Sequence, residues 1–234
     1  MGLLALAIAP GLAICLFIIY KDRYNAEPLK NLIISFFLGV LSAFPAVIFQ
    51  LLTTKPSEQL FADQSSAIYK AFFAFCIVGF SEEGSKYLML RFYAYRRKAF
   101  DEPLDGIVYA VMVGMGFATL ENILYVTEHG VATGVIRMFL SVPAHGTFAV
   151  LMGYFVGLAK FNPEKRLQYL VSGLFWAILF HGAFDFFLFL NDVPLLSIGA
   201  LVSFIIALRL SKKAINKHQE TSRVNHQNHF NNYN

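Results

Sequence analysis

Residues 75–91 read F-C-I-V-G-F-S-E-E-G-S-K-Y-L-M-L-R, an apolar run with Glu82, Glu83 and Lys86 near its middle. A charge at the centre of a spanning helix costs about 2.5 to 3.5 kcal/mol on the insertion scale, and several together are not tolerated against lipid. If this run crosses a bilayer, the three side chains must face a polar interior, and other helices must supply their partners. Two adjacent carboxylates and a lysine held away from lipid mark a candidate site.

The composition places the run in a membrane. Of 234 residues, 57% are hydrophobic and 15% charged, with a mean hydropathy of +0.56. A soluble domain carries about 25% charge. The 25 Phe and 11 Tyr suit lipid-facing surfaces and interfacial belts. The expected fold is therefore all-α, a polytopic membrane helix bundle. Cys15 and Cys76 both fall in apolar segments and read as small buried hydrophobes, with no disulfide or cysteine-based metal pattern. No Lys or Arg precedes the first apolar run, so that segment is expected to remain as a helix rather than be cleaved.

A helix needs roughly 20 apolar residues to cross the hydrocarbon core. That rule predicts seven transmembrane helices, over 2–20, 29–52, 67–90, 104–126, 134–158, 167–190 and 193–210, with a short turn at Asn191, Asp192, Val193 and Pro194. Basic residues cluster after the first, third, fifth and seventh segments: Lys21, Arg23 and Lys30; Arg91, Arg96, Arg97 and Lys98; Lys160, Lys165 and Arg166; and Arg209, Lys212, Lys213, Lys217 and Arg223. The opposite side has only Lys55, Lys70 and Arg137. The positive-inside rule then puts the N-terminus outside and the C-terminus in the cytoplasm. The net charge of +4 is an orientation signal and does not argue for nucleic acid, which needs a basic soluble face. Residues 1–210 form the expected membrane domain. Residues 211–234 are polar and aperiodic, and are expected to be a disordered cytoplasmic tail on which His218, His226 and His229 are solvated.

Several further polar groups interrupt the apolar segments. Gly106, Ala110 and Gly114 recur at fours and predict close helix packing. Asp105 sits where its helix begins and suits a cap. Glu121 and Asn122 lie inside the fourth segment with no basic neighbour on it, so Glu121 needs a proton, a cation or a metal from elsewhere in the bundle. His145 follows Pro143, which is expected to kink the fifth segment. His181 and Asp185 are four apart on one helical face, where the carboxylate can orient the ring. At about 1.5 Å per residue, Glu82, His145 and His181 all fall near the midplane, so one water-accessible cluster can hold them all. Adjacent helical residues diverge by about 100°, so Glu82 and Glu83 take different parts. One is held by Lys86 as an orienting group and the other is available as general base towards water.

The ordered set of Glu82-Glu83-x-x-Lys86, Phe117-x-x-x-Glu121-Asn122, His145 and His181-x-x-x-Asp185 resembles the PrsW proteases, bacterial intramembrane proteases distantly related to the type II CAAX prenyl proteases. The resemblance extends through A-P-G at 9–11 and Y-K-D-R-Y-N-A-E-P at 20–28. It implies a multi-pass protein of the bacterial cell membrane that makes the site-1 cleavage of a single-pass anti-sigma factor, releasing an extracytoplasmic-function sigma factor under envelope stress. The CAAX relatives carry Arg, His and Asn where this chain has Lys86, Glu121 and Asp185. The resulting Glu121, His145 and His181 set would suit Zn²⁺. Glu82 or Glu83 then activates water, Glu121, His145 and His181 bind metal or stabilise the oxyanion with Asn122, and Asp185 orients His181. A proton-coupled transporter and a non-catalytic membrane scaffold are the rival classes for the same polar cluster.

Overall fold

The computed structural model describes residues 2–190 and 194–231, and among them every regular element is a helix. In chain order these are α1 (Gly2–Lys21), α2 (Leu29–Leu60), α3 (Ala67–Phe72), a π-helical stretch (Phe73–Gly79), α4 (Phe80–Phe92), α5 (Pro103–Phe139), α6 (Ser141–Phe161), α7 (Arg166–Phe189) and α8 (Pro194–Asn231). Short 3₁₀ turns at Ala94–Arg96 and Pro163–Lys165 complete the chain.

Among the described residues, four helical stretches are long and apolar enough to cross a bilayer: Gly2–Lys21, Leu29–Leu60, Pro103–Phe161 and Pro163–Phe189. Not every one of the seven expected segments is one of these four stretches. The third segment is broken into α3, the π-helical stretch and α4, and carries Lys70, Glu82, Glu83 and Lys86. The fourth and fifth are contiguous as one long stretch, within which the chain turns back between α5 and α6, and the seventh falls in α8, which is not among the four. The expected turn at 191–194 falls on residues 191–193, outside the described ones.

α5 and α6 form the centre of the bundle. Within the most apolar part of Pro103–Phe161, 78% of residues are buried, against 28–33% in the other three stretches. The two helices are antiparallel: Gly106 lies against the Gly153 and Gly157 backbone, and Gly114 against Ala149. A Cβ on Gly106 or Gly153 would collide with main chain, so the small-residue spacing does serve close packing. The outer faces of α1 and α2 carry exposed Leu16, Phe37, Leu41, Phe44, Leu51 and Leu52, an apolar girdle that lipid covers. Cys15 is buried, whereas Cys76 is on the outer surface rather than in the core.

The segment after Ser211 is not the disordered tail expected from its polarity. It continues α8 and packs back on the bundle: Ser211 Oγ donates to the Thr147 carbonyl at 3.1 Å, His218 lies 3.3 Å from the Tyr154 carbonyl, and Gln219 Nε2 donates to the Lys21 carbonyl at 2.8 Å. Polar side chains satisfied by main-chain carbonyls at the end of α1 and along α6 replace the apolar periodicity of a helix buried on one face.

Candidate active site

α4 positions the three charges of the opening stretch. The preceding π-helical turn is an uncommon feature often found beside functional sites. It ends at Gly79, where a Cβ would lie 3.4 Å from both the Gly182 nitrogen and the Ile178 carbonyl of α7. Gly182 in turn accepts the Phe75 ring against its backbone. These two glycines let α4 approach α7 closely enough for Glu83 to reach His181.

Glu82, Glu83 and Lys86 are all buried. Lys86 Nζ is 2.7 Å from Glu83 Oε1 and 3.4 Å from Glu82 Oε2, and it stands 3.9 Å above the Phe117 ring. The aromatic face adds a cation–π contact to the two ion pairs. Lys86 Nζ also lies 3.3 Å from His145 Nδ1. Glu83 Oε1 is 2.8 Å from His181 Nδ1, while His181 Nε2 is 3.2 Å from Asp185 Oδ2 and 3.8 Å from Glu82 Oε2. The Phe148 ring stacks on His181 at 5.1 Å, and the two histidine rings are 5.0 Å apart. Glu82, His145, His181, Asp185 and Glu121 open on one cavity of about 560 Å³, whereas Glu83 and Lys86 are closed beneath it among Leu90, Val113 and Met152. The two glutamates thus occupy different environments.

Glu121 has a partner that the sequence did not suggest. Arg137 Nη2 donates to Glu121 Oε2 at 2.8 Å and its Nε donates to Asn122 Oδ1 at 3.0 Å. Arg137 follows Glu121 by sixteen residues on α5, about 24 Å along a straight helix. The chain folds back because Gly130 has φ +83° and ψ −166°, a conformation essentially restricted to glycine. Gly134 is consequently returned against Val126 and Leu6. The signal available in the sequence was this glycine directly after Thr127, Glu128 and His129, in the polar break between two apolar segments. Pro143, expected to kink the next segment, instead sits in the first turn of α6, where its missing N–H costs little.

Asn122 is held at both ends of its amide. One N–H of its Nδ2 donates to the Ala7 carbonyl at 2.9 Å and its oxygen accepts from Arg137. These contacts tie α1 to α5 and leave the second N–H of the amide as the donor for the oxyanion role expected of it. Asp185 lies against His181, and His145 Nε2 is 2.9 Å from Glu121 Oε2. All eight residues singled out in the sequence therefore belong to one connected cluster, with Arg137 as a ninth member.

A family model described as PrsW family intramembrane metalloprotease matches residues 27–210. The chain belongs to the PrsW family. Protease PrsW of Bacillus subtilis (strain 168) is 38% identical over 188 residues, covering 80% of this chain and 83% of its own. Protease PrsW of Geobacillus kaustophilus (strain HTA426) is 37% identical over 191 residues, covering 82% and 81%. Protease PrsW of Clostridioides difficile (strain 630) is 37% identical over 226 residues, covering 92% of each chain. No solved structure matches the chain. As a PrsW-family member it is a peptidase and a multi-pass membrane protein.

The metal named in the PrsW family description can be tested against these donors. The expected set was Glu121, His145 and His181, but Glu121 Oε2 is already engaged by both Arg137 and His145. Glu82, His145 and His181 do bring ligand-type atoms within 4.8 Å of one another. Yet each ring nitrogen has a partner: Lys86 and Glu121 on His145, Glu83 and Asp185 on His181. The Lys86 ammonium, 3.3–3.4 Å from His145 Nδ1 and Glu82 Oε2, already supplies a cation to two of the three candidate ligands. A dication beside it meets like-charge repulsion. In this arrangement the donors do not fit a metal.

Proposed function

We propose that this chain hydrolyses a peptide bond inside the membrane by a glutamate mechanism, making the site-1 cleavage of a single-pass anti-sigma factor. The observation that carries the reading is the division of labour on α4: Glu82 opens on the cavity beside both imidazoles, while Glu83 is sealed beneath with Lys86. Glu82 takes the proton of the attacking water and delivers it to the departing amine. Glu83 and Asp185 flank His181 and keep a proton on each of its nitrogens. His181 and Arg137 are the positive groups lining the cavity, and they favour the charge that develops on the scissile carbonyl oxygen. Lys86 holds Glu83 and, through Nδ1, sets the tautomer of His145, whose other nitrogen faces Glu121.

On this reading residues 1–210 are the protease domain, crossing the bilayer seven times with the N-terminus outside and the C-terminus cytoplasmic. The Lys and Arg distribution and the midplane depth of the cluster support that arrangement. The anti-sigma factor substrate is supported by the family resemblance. The test is to incubate the purified protein in proteoliposomes with a single-pass anti-sigma factor and map products by mass spectrometry. Cleavage near the outer end of the substrate's span is expected. An intact substrate together with proton leak through the liposomes would instead identify a transporter.

A further inference from the structure

A second group of carboxylates lies about 24 Å along α5 from Glu121. Asp22 leaves the end of α1, Glu102 immediately precedes α5, and Asp105 is in its first turn. Ligand-type oxygens of the three lie within 4.8 Å of one another, and each residue is at least nine-tenths buried. One oxygen of each aspartate caps main chain: Asp22 Oδ2 accepts from the Glu27 N–H at 3.0 Å, and Asp105 Oδ2 accepts from the Asp101 and Glu102 N–H groups at 2.8 Å. The remaining oxygens, Asp22 Oδ1, Asp105 Oδ1 and Glu102 Oε1, have no hydrogen-bond partner.

An independent observation comes from a different helix. The Ser222 hydroxyl of α8 is 3% exposed, has no hydrogen-bond partner outside this group, and faces the Glu102 carboxylate. Among the described residues no Lys, Arg or His forms an ion pair with Asp22, Glu102 or Asp105. Lys160, whose charge reaches Asp105 from a distance, directs its hydrogen bonds to the Tyr95 and Arg97 carbonyls. Buried carboxylates without a counter-charge are retained only with a proton or a cation between them. An all-oxygen donor set with carboxylates and a hydroxyl is that of a hard divalent ion rather than zinc.

We infer that Asp22, Glu102 and Asp105, with Ser222 beside them, bind a hard divalent cation of the Mg²⁺, Ca²⁺ or Mn²⁺ class, which clamps the end of α1 to the start of α5 and to α8. This inference does not depend on the proteolytic mechanism.

The experiment uses the full chain in detergent micelles with Mn²⁺ as the probe, in a Glu82→Gln background so that the protease cavity cannot supply the same ligands. One-to-one Mn²⁺ binding by electron paramagnetic resonance is expected, with displacement by Mg²⁺ or Ca²⁺. Saturating ion should raise Tm by roughly 5–10 °C. Asp22→Asn keeps an oxygen for the Glu27 N–H and should lose both effects. Ser222→Ala serves as the milder variant and should weaken binding without unfolding the chain. Absence of Mn²⁺ binding, or binding unchanged in Asp22→Asn, overturns the proposal. So does an ion-independent gain in Tm for Asp22→Asn, which would mean that the carboxylates only share protons.

Discussion

Two groups of buried carboxylates occupy this bundle, and they differ in what neutralises them. Around the cavity, Glu82, Glu83, Glu121 and Asp185 are met by Lys86, Arg137 and two imidazoles at 2.7–3.8 Å. Where α1 ends and α5 begins, Asp22, Glu102 and Asp105 are met by main-chain N–H groups, the Ser222 hydroxyl and neighbouring carboxylates, and among the described residues by no ion-paired cation. Burial pushes the Asp22 carboxyl up to about 8 and that of neighbouring Glu27, which also accepts from the Tyr109 hydroxyl, to about 7. The family description would send a metal to the first group, where the protein's own cations already stand. The second group, lacking such cations, is the one that calls for an external ion. Density of ligand-type side chains is thus a poorer guide to a metal than the local balance of charge.

The largest effect that could break this contrast is on catalysis. Glu82→Gln should lower cleavage of a reporter substrate by about 10²- to 10⁴-fold with little change in Tm, measured in proteoliposomes. A wild-type rate would reduce the first group to a structural element like the second. Lys86→Met, which leaves buried Glu83 with His181 as its remaining partner, should cost about 3–5 kcal/mol of stability, read by denaturant unfolding in micelles. An unaffected midpoint would show that the ion pairs are not what keeps Glu83 buried.

Smaller effects sharpen the comparison. Gly130→Ala imposes a backbone conformation costing about 1–3 kcal/mol and should withdraw Arg137 from Glu121. Arg137→Gln and Gly130→Ala should then lose activity in parallel, by up to about 10²-fold. If only Arg137→Gln is impaired, the turn at Gly130 is not what delivers the guanidinium. His218 is a buried base without a counter-charge, and burial lowers it to about 4. The unfolded chain therefore binds the extra proton between pH 6.5 and 4, so stability falls as the solution is acidified through that window. A loss of about 2 kcal/mol from pH 7 to pH 5 should vanish in His218→Phe, as judged by the pH dependence of Tm. Finally, a zinc-selective chelator in excess Mg²⁺ should leave cleavage unchanged. Stoichiometric zinc with chelator-sensitive activity would reverse the assignment of the two groups.

Most of the cluster around the cavity was legible in the sequence because a bilayer penalises isolated charge. Glu82, Glu83, Lys86, Glu121, His145, His181 and Asp185 stand out in apolar runs, and mutual burial is their only economical arrangement. Arg137 was not legible, since it falls in the next predicted segment, sixteen residues beyond Glu121, and meets it only because Gly130 reverses the chain. Nor was the helical course of the segment after Ser211, whose polar side chains find partners on α1 and α6 that are remote in the chain.

The linear order of residues was enough to establish an all-helical membrane protein with a gathered polar site, because hydropathy and the cost of buried charge act on each segment separately. Which glutamate faces the cavity, which cation holds Glu121, and where an unbalanced group of acids is left over depend on how glycine contacts set helix approach and rotation. Those are properties of pairs of helices, and they are settled only when the bundle packs.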